Sequence, residues 1–455
     1  MADTLAAGTA SMVITPPLGT PMSGYFEARY SEGVLDDLLA QALALEAQDG
    51  AAIMIACDLV GLNAELCDQI RAAVAQETGV PREGVLIACT HTHTGPTTST
   101  LWYDQENDEY LALLPELIAS AGVMAWRSRQ PARLSWVTGS APHLAFNRRF
   151  RMKDGTVHTN PGVQNPDIVE PVGPTDPGLR ILRVDDVAAN PLALVVNYAL
   201  HLDTHGGSRI SADFPHFLRQ TLAGALAPPL KTLFLNGTCG DINHIDVHAP
   251  REVPASGRPV TQRIGTSLAA EVLRVLPVAQ LIEQPFIKHL SHKLTCGIRM
   301  PTEEQCREAR QALGDNWHSL DSCYVEVGEG DRKRRVMSIE RHALRELLFM
   351  AGAGKREMEV ELAALRLGPV GLVGIPGEVF VKLGLAIQEQ ARGGPSGPLE
   401  MTMPVELVNG SVGYIPTREA YDQGSYEVTL RRSACIAPGS GEAIVEACTA
   451  MLADL

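Results

Sequence analysis

Short apolar runs alternate with amphipathic stretches along the first half of the chain. Leu38–Leu45 and Ala51–Leu59 are nearly continuous hydrophobic segments, the pattern of strands buried on both faces. Asn63–Thr78 and Glu109–Arg127 repeat their apolar positions every three or four residues and predict helices. Val85–Thr90 (VLIACT), Leu192–Leu200 (LALVVNYAL) and Lys231–Leu235 read as further buried strands, and Asp213–Leu226 and Thr261–Leu276 as helices. Strands return at Val360–Leu367 and Gly371–Ile375, with a helix expected from Glu378. The tail, Met401–Leu455, mixes a strand, an irregular Gly/Tyr-rich stretch and a last amphipathic helix. The whole predicts an α/β fold of layered mixed β-sheets flanked by helices.

Two segments break this rhythm. Asn147–Pro177 is rich in Gly, Pro, Asn and Asp and is expected to be a long ordered loop; long loops in compact domains tend to carry function. Thr302–Met350 is charged, with helical patterning on both sides of GEGDRKRRV, and predicts a helical insertion, a hairpin or lid within a single domain spanning residues 1–455.

Composition narrows the class. Hydrophobic residues make up 45% of the 455 and charged residues 20%, which suits a globular protein. A formal charge of -15 without a long basic run argues against nucleic acid as a partner, because displacing counterions from phosphate needs a cationic face. No segment approaches the roughly 20 apolar residues that cross a bilayer, so no membrane insertion is expected. The N-terminus has no basic region followed by an apolar run. The nine cysteines are odd in number, scattered, and form no CxxC pair, which fits reduced thiols and a cytoplasmic protein better than a disulfide framework. Oligomeric state is not legible; a homo-oligomer is among the readings left open.

Chemistry concentrates at strand ends, where ligands gather in open α/β sheets. VLIACTHTHTGP runs a buried strand straight into His91 and His93, and VVNYALHLDTHGG does the same with His201, Asp203 and His205. Neutral imidazole is the commonest zinc ligand, and two parallel neighbouring strands are expected to present His91 and His201 to one ion. The bland alternative for each is a hydrogen-bonded core histidine. GPVGLVGIPGEVF places Glu378 at a helix start, where the dipole favours a carboxylate and where it is also an anionic ligand candidate. Tyr414 and Tyr426 lie in LVNGSVGYIPTREAYDQGSYE; packing is their competing role. FLNGTCGDINHIDVH offers Asp241 to orient a ligating histidine, alongside Asn243, His244 and His248. A second metal near Asp203, His205, His244 or His248 stays open.

Taken in order, ITPP with GY, THTHTGP, FNRR, GPTDPGLRILRVDD, NYALH, ISADFP (which contains Asp213), NGTCGDIN, GIPGE and YIPTREAYDQGSYE resemble the catalytic domain of the neutral ceramidase family from about Ala7 to Tyr426. The resemblance implies a zinc ion held by His91, His201, Glu378 and Tyr414, with His93, Arg148 and Tyr426 as catalytic groups and Asp241, Asn243 and Asp213 in support. It implies a zinc-dependent hydrolase that attacks an amide bond of a small acyl substrate with a metal-activated water. The family's substrate-engaging serine falls on Asn243, so the expected substrate is not ceramide. The chain is also expected to be without the family's secretion signal and immunoglobulin-like extension, resembling its shorter bacterial members. Rival readings are a zinc esterase or lactonase, a serine hydrolase, for which no G-x-S-x-G is present, and a binding protein with an idle metal site.

Overall fold

The computed structural model describes residues 5–25, 28–98, 107–226, 230–327 and 334–455. Its backbone is a nine-stranded sheet packed face to face on a four-stranded one, with helices on both outer surfaces. The α/β class and its layers are those expected from the pattern.

The large sheet runs in the order Lys231–Asn236, Pro191–Tyr198, Gly178–Asp186, Gln130–Ser140, Leu5–Val13, Leu39–Ala47, Gly50–Cys57 and Val85–Cys89, with the short strand Gln280–Leu281 added beside Gln130–Ser140. Its centre is antiparallel; the outermost pair at each end is parallel. Leu39–Ala47 shows how both faces are buried. Leu43 and Leu45 point to the core between the sheets, while Ala40, Ala42 and Ala44 face the helices. Small residues on the helix side let Asp108–Arg127 lie close, and Gly8 completes this: a Cβ there would stand 2.2 Å from the carbonyl oxygen of Ala125. Helices Ala64–Thr78 and Asp108–Arg127 cover one end of the sheet, and Phe214–Leu226 and Arg258–Val275 the other. Asn63 and Asn107 cap the first two by accepting from Leu66 N and Tyr110 N.

The small sheet, Ile287–Gly297, Glu357–Leu367, Val370–Ile375 and Met401–Glu406, buries Leu365, Leu372, Met403 and Val405 against the large one. Helices Val381–Gln390 and Ser440–Asp454 pack on its far side.

Three expectations need correction. The strands that lead to His91 and His201 are not neighbours: Val85–Cys89 ends the large sheet, while Pro191–Tyr198 lies one strand in from the opposite end. The sheet curls until these ends meet, and a bridge between Thr92 and Leu202, with His93 N donating to Leu202 O at 3.0 Å, closes the gap. Asn147–Pro177 is not a plain loop. It contains Arg149–Met152, Val157–Thr159 and Ile168–Pro171, an antiparallel sheet whose strands are too short and polar to register as periodicity. Finally, no helix starts at Glu378. It lies in a two-residue strand, Glu378–Val379, which pairs with Tyr414–Ile415, and the helix begins at Val381.

The 302–350 segment carries helices Glu303–Leu313 and Ile339–Ala353, with a hairpin of Tyr324–Val327 and Arg334–Met337 between them. A capping box at Thr302 and Gln305 starts the first helix and Ser338 caps the second. Ala309, Leu313 and Leu348 form a small core of their own. Residues 328–333, most of the charged loop, lie outside the described residues. Among the described residues no helix is long and apolar enough to cross a membrane, and all nine cysteines are unpaired.

Candidate metal centre and cavity

Where the curled sheet closes, three imidazoles converge. His91 Nε2 stands 3.2 Å from His201 Nε2 and 3.3 Å from His93 Nε2. The backbone at His91 has a φ of 76°, a strained value for a residue with a Cβ, and it turns the ring inward as the strand ends. His91, His93 and His201 form the one group of histidine, cysteine or acidic side chains among the described residues spaced to hold a metal ion.

The far ring nitrogens decide what the near ones offer. His91 Nδ1 lies 2.6 Å from Val60 O and His201 Nδ1 3.0 Å from Cys239 O. A carbonyl only accepts, so both protons sit on Nδ1, and both Nε2 atoms present lone pairs to each other. His93 differs: its Nδ1 is buried without a partner, so nothing fixes its tautomer.

Glu378 adds a carboxylate to the same point. Its Oε2 lies 3.4 Å from His91 Nε2 and 3.6 Å from His201 Nε2. The side chain is 0% exposed, and both of its oxygens are without hydrogen-bond donors. A buried carboxylate in that state is costly unless a cation compensates it. Tyr414 is the register partner of Glu378, which sets the phenol beside the carboxylate. Gly240 lets the Glu378 strand approach, since a Cβ there would lie 2.5 Å from Glu378 O.

The electrostatics follow from this crowding. Burial lowers the pKa of His91, but the Glu378 carboxylate beside it outweighs burial and raises it. Burial, Arg148 and His91 hold His201 well below the ordinary histidine value. Burial and His91 bring His93 down to about 3, which leaves it neutral. Burial and Glu378 push the Tyr414 phenol well up.

Arg148 is fixed from several sides. Its Nε donates to Glu427 Oε1 at 2.8 Å, its Nη2 to Gly240 O at 2.8 Å and to Tyr414 Oη at 3.0 Å, and its Nη1 lies 3.3 Å from His201 Nε2. Glu427 also accepts from Thr159 Oγ1 at 2.8 Å and pairs with Arg149 at 3.3 Å. Tyr426 packs edge-on against Tyr414, with ring centroids 5.7 Å apart.

These groups open onto a cavity of about 480 Å³. Its lining includes His93, Arg148, His201, Tyr414 and Tyr426 from the candidate residues. Tyr25, Asn160, Asp203 and Arg431 also line it, as does the first turn of the insertion's second helix through Ile339, Glu340, His342 and Ala343.

The supporting candidates stand outside this ring. The Asp241 carboxylate accepts from Asn147 Nδ2 at 2.9 Å and from Val381 N at 2.8 Å, so it ties the Arg148 and Glu378 segments together. The carbonyls of Val60 and Cys239, not Asp241, orient the histidines. Asp213, at a φ of 60°, accepts from Thr204 N, Thr204 Oγ1 and Phe214 N, bracing the loop after His201. Asn243 donates to Asn160 Oδ1 at 2.6 Å and accepts from Ile245 N, so it meets the cavity through Asn160. Asp203 pairs with His244 at 3.3 Å, whereas His248 lies on the surface.

Sequence reasoning passed over Glu427, Glu406 and Arg431. Glu427 directly follows Tyr426 and was readable from that adjacency. Glu406 accepts from Cys239 N at 3.0 Å, Val379 N at 3.1 Å and Cys239 Sγ at 2.9 Å, holding two of the site's loops from below. Nothing in MTMPVE marks it.

No protein-family model matches the chain, and no curated protein matches it. Among the solved structures that share its architecture are two ceramidases. The neutral ceramidase from Pseudomonas aeruginosa superimposes with a TM-score of 0.75 at 16% identity, over 99% of this chain and 74% of that one. A ceramidase complexed with C2 gives 0.69, again at 16% identity, over 99% and 75%. The fold is therefore ceramidase-like, as the motif order implied.

Proposed function

We propose that this chain is a zinc-dependent hydrolase of amide bonds, with the ion held by His91, His201, Glu378 and Tyr414. The observation that carries the reading is the meeting of two imidazole lone pairs 3.2 Å apart with a buried carboxylate that has no donor. Two ligand atoms at tetrahedral zinc distances stand about 3.3 Å apart, so the spacing suits such an ion. The donor set of imidazole, carboxylate and phenol oxygen suits zinc among the first-row metals. The backbone carbonyls behind His91 and His201 are the usual orienting partners of ligating histidines, and His93 has none. His93 is therefore assigned to the reaction and not to the ion.

Bound there, the ion would supply a water of pKa near about 7 and would polarise the scissile carbonyl. The chain's own groups supply the rest. Arg148, kept cationic beside Tyr414 and Glu427, aims its guanidinium at the place where charge develops on the carbonyl oxygen. One well-aimed donor of this kind is worth about 3 kcal/mol. His93 faces the cavity, where it is placed to relay a proton between the attacking water and the departing nitrogen. Tyr426 closes the wall beside Tyr414 and offers a hydroxyl to the substrate.

Metal analysis of the purified protein and of His91→Ala, with release of free acid from a panel of acyl amides and matched esters, tests this. The expected result is one zinc per chain and amide cleavage in the wild type, with both lost in the variant. A metal-free wild type with full activity, or a variant that keeps its zinc, would refute the assignment.

A further inference from the structure

Arg431 has no part in the reaction just described, yet it is the most unusual charge in the cavity wall. It is 3% exposed and lines the same cavity as His93 and Arg148. Its guanidinium lies over the Tyr426 ring, 4.1 Å from the centroid, and 5.7 Å from that of Tyr414. Its Nε donates to Ser433 Oγ at 3.0 Å, and its Nη1 to Tyr426 O at 2.6 Å and Thr429 O at 3.2 Å. Those bonds explain how the 426–433 turn is held. They leave Nη2, which is buried and without a partner.

The charge balance sharpens the point. A guanidinium stays protonated at any working pH, so burial cannot neutralise it. Arg148 and Arg149 share Glu427. Arg180, Arg219, Arg345 and Arg432 also lie against carboxylates. No carboxylate lies within ion-pair distance of Arg431 among the described residues. The other charged wall groups do not repair this. Asp203 faces His244, whose Nδ1 lies 3.3 Å from the carboxylate and whose Nε2 lies 2.8 Å from Ala255 O. Glu340 is exposed on the insertion helix. The wall thus holds one buried, uncompensated cation whose remaining donor has no acceptor.

We propose that Arg431 is the recognition residue for a carboxylate on the substrate, so that the preferred amides are N-acyl amino acids or similarly acidic amides. This rests on the hydrolase reading and adds the substrate class. Arg148 and Arg431 line one cavity and both approach the Tyr414 ring, their guanidinium carbons 5.6 and 5.7 Å from its centroid. On the proposed reading the scissile carbonyl lies near Arg148 and the acid reaches Arg431. A substrate carboxylate would accept a charge-assisted hydrogen bond from Nη2, the donor that the turn leaves over.

Matched ligands test the proposal on the intact protein. Binding of N-octanoylglycine and of uncharged N-octanoylglycinamide is measured by calorimetry on metal-replete and chelator-treated protein, and octanoate release is followed for both. The expected result is tighter binding of the acid by about 10- to 100-fold, the range of a charge-assisted hydrogen bond. The preference is expected to survive metal removal, to vanish in Arg431→Gln and to recover in part in Arg431→Lys. Because the ligand pair is compared within the wild type, the test stands even if a variant folds poorly. Equal affinity for acid and amide overturns the proposal. So does a preference that disappears with the metal or persists in Arg431→Gln. Tighter binding of the matching N-octanoyl aminomethylphosphonate overturns it too, by moving the site to a different anion. If the acid is preferred through Arg431 and neither compound is cleaved, the hydrolase reading fails and the anion site stands; cleavage of both without preference gives the reverse.

Discussion

The floor and the roof of the cavity are built in opposite ways. His91, His201, Glu378 and Tyr414 come from four distant stretches of chain, each at or beside a strand end and each essentially without exposure. Strand pairing, a Gly240 contact and the buried carboxylates of Asp241, Asp213 and Glu406 hold them. The roof is local. It consists of one turn of the Ile339–Ala353 helix and the Tyr426–Arg431 turn, joined to each other mainly by Arg432, whose Nε and Nη2 donate to Glu346 at 2.6 and 2.8 Å. A structure so divided separates two jobs. On the proposed reading, the floor would fix what bond chemistry is available, while the roof would select what reaches it.

The comparison can be broken most forcefully at the floor. Glu378→Gln removes the one anionic donor facing two imidazoles, and it is expected to empty the metal site and reduce turnover to background, read by metal analysis alongside activity. Arg148→Ala should keep the ion and lower kcat by about 100- to 1,000-fold, the cost of one oxyanion donor. It should also destabilise the fold by about 3 kcal/mol in denaturant melts, because Glu427 is left buried with a weaker partner. A metal-free Arg148→Ala protein would erase the distinction between holding the ion and serving the reaction.

The roof should respond differently. Glu346→Gln breaks the tether to Arg432, and it is expected to raise KM by roughly 3- to 10-fold with metal content unchanged, as for the loss of one charge-assisted contact. A fall in kcat with unchanged KM would mean that the roof takes part in the chemistry.

The smallest effect concerns the floor's supports. Burial raises the Asp213 carboxyl to about 6 from an ordinary value near 3.8, so the folded protein favours its protonated form. Its contribution is full below about pH 4 and is lost as the pH climbs through about 6. Melting temperatures of the wild type and Asp213→Asn, compared from pH 4 to 7, should show this part of the slope in the wild type alone. Identical slopes would place the titration elsewhere.

Legibility in the sequence followed the same division. The strand-to-histidine pattern was visible because VLIACT and LALVVNYAL are buried on both faces and then stop at a polar residue. Leu5–Val13, Gln130–Ser140 and Gly178–Asp186 escaped notice because they mix Thr, Ser, Arg or Gly into their runs and give no clean period. The curl that joins the two ends of the large sheet leaves no local trace, since it arises from the accumulated twist of many strands. The pairing of Glu378 with Tyr414 was likewise hidden, because register between distant segments is set by the tertiary fold. Arg431 could not be singled out, since an arginine becomes unusual only when its surroundings lack a counter-charge.

The closure of the large sheet through the Thr92–Leu202 bridge has a consequence for biosynthesis. A chain still on the ribosome exposes HTH early, but the carboxylate and the phenol emerge only near the end of translation, and the edge strands cannot join until those between them are in place. On the proposed reading, ion capture would therefore wait for the finished polypeptide, and loading would double as a check that folding is complete.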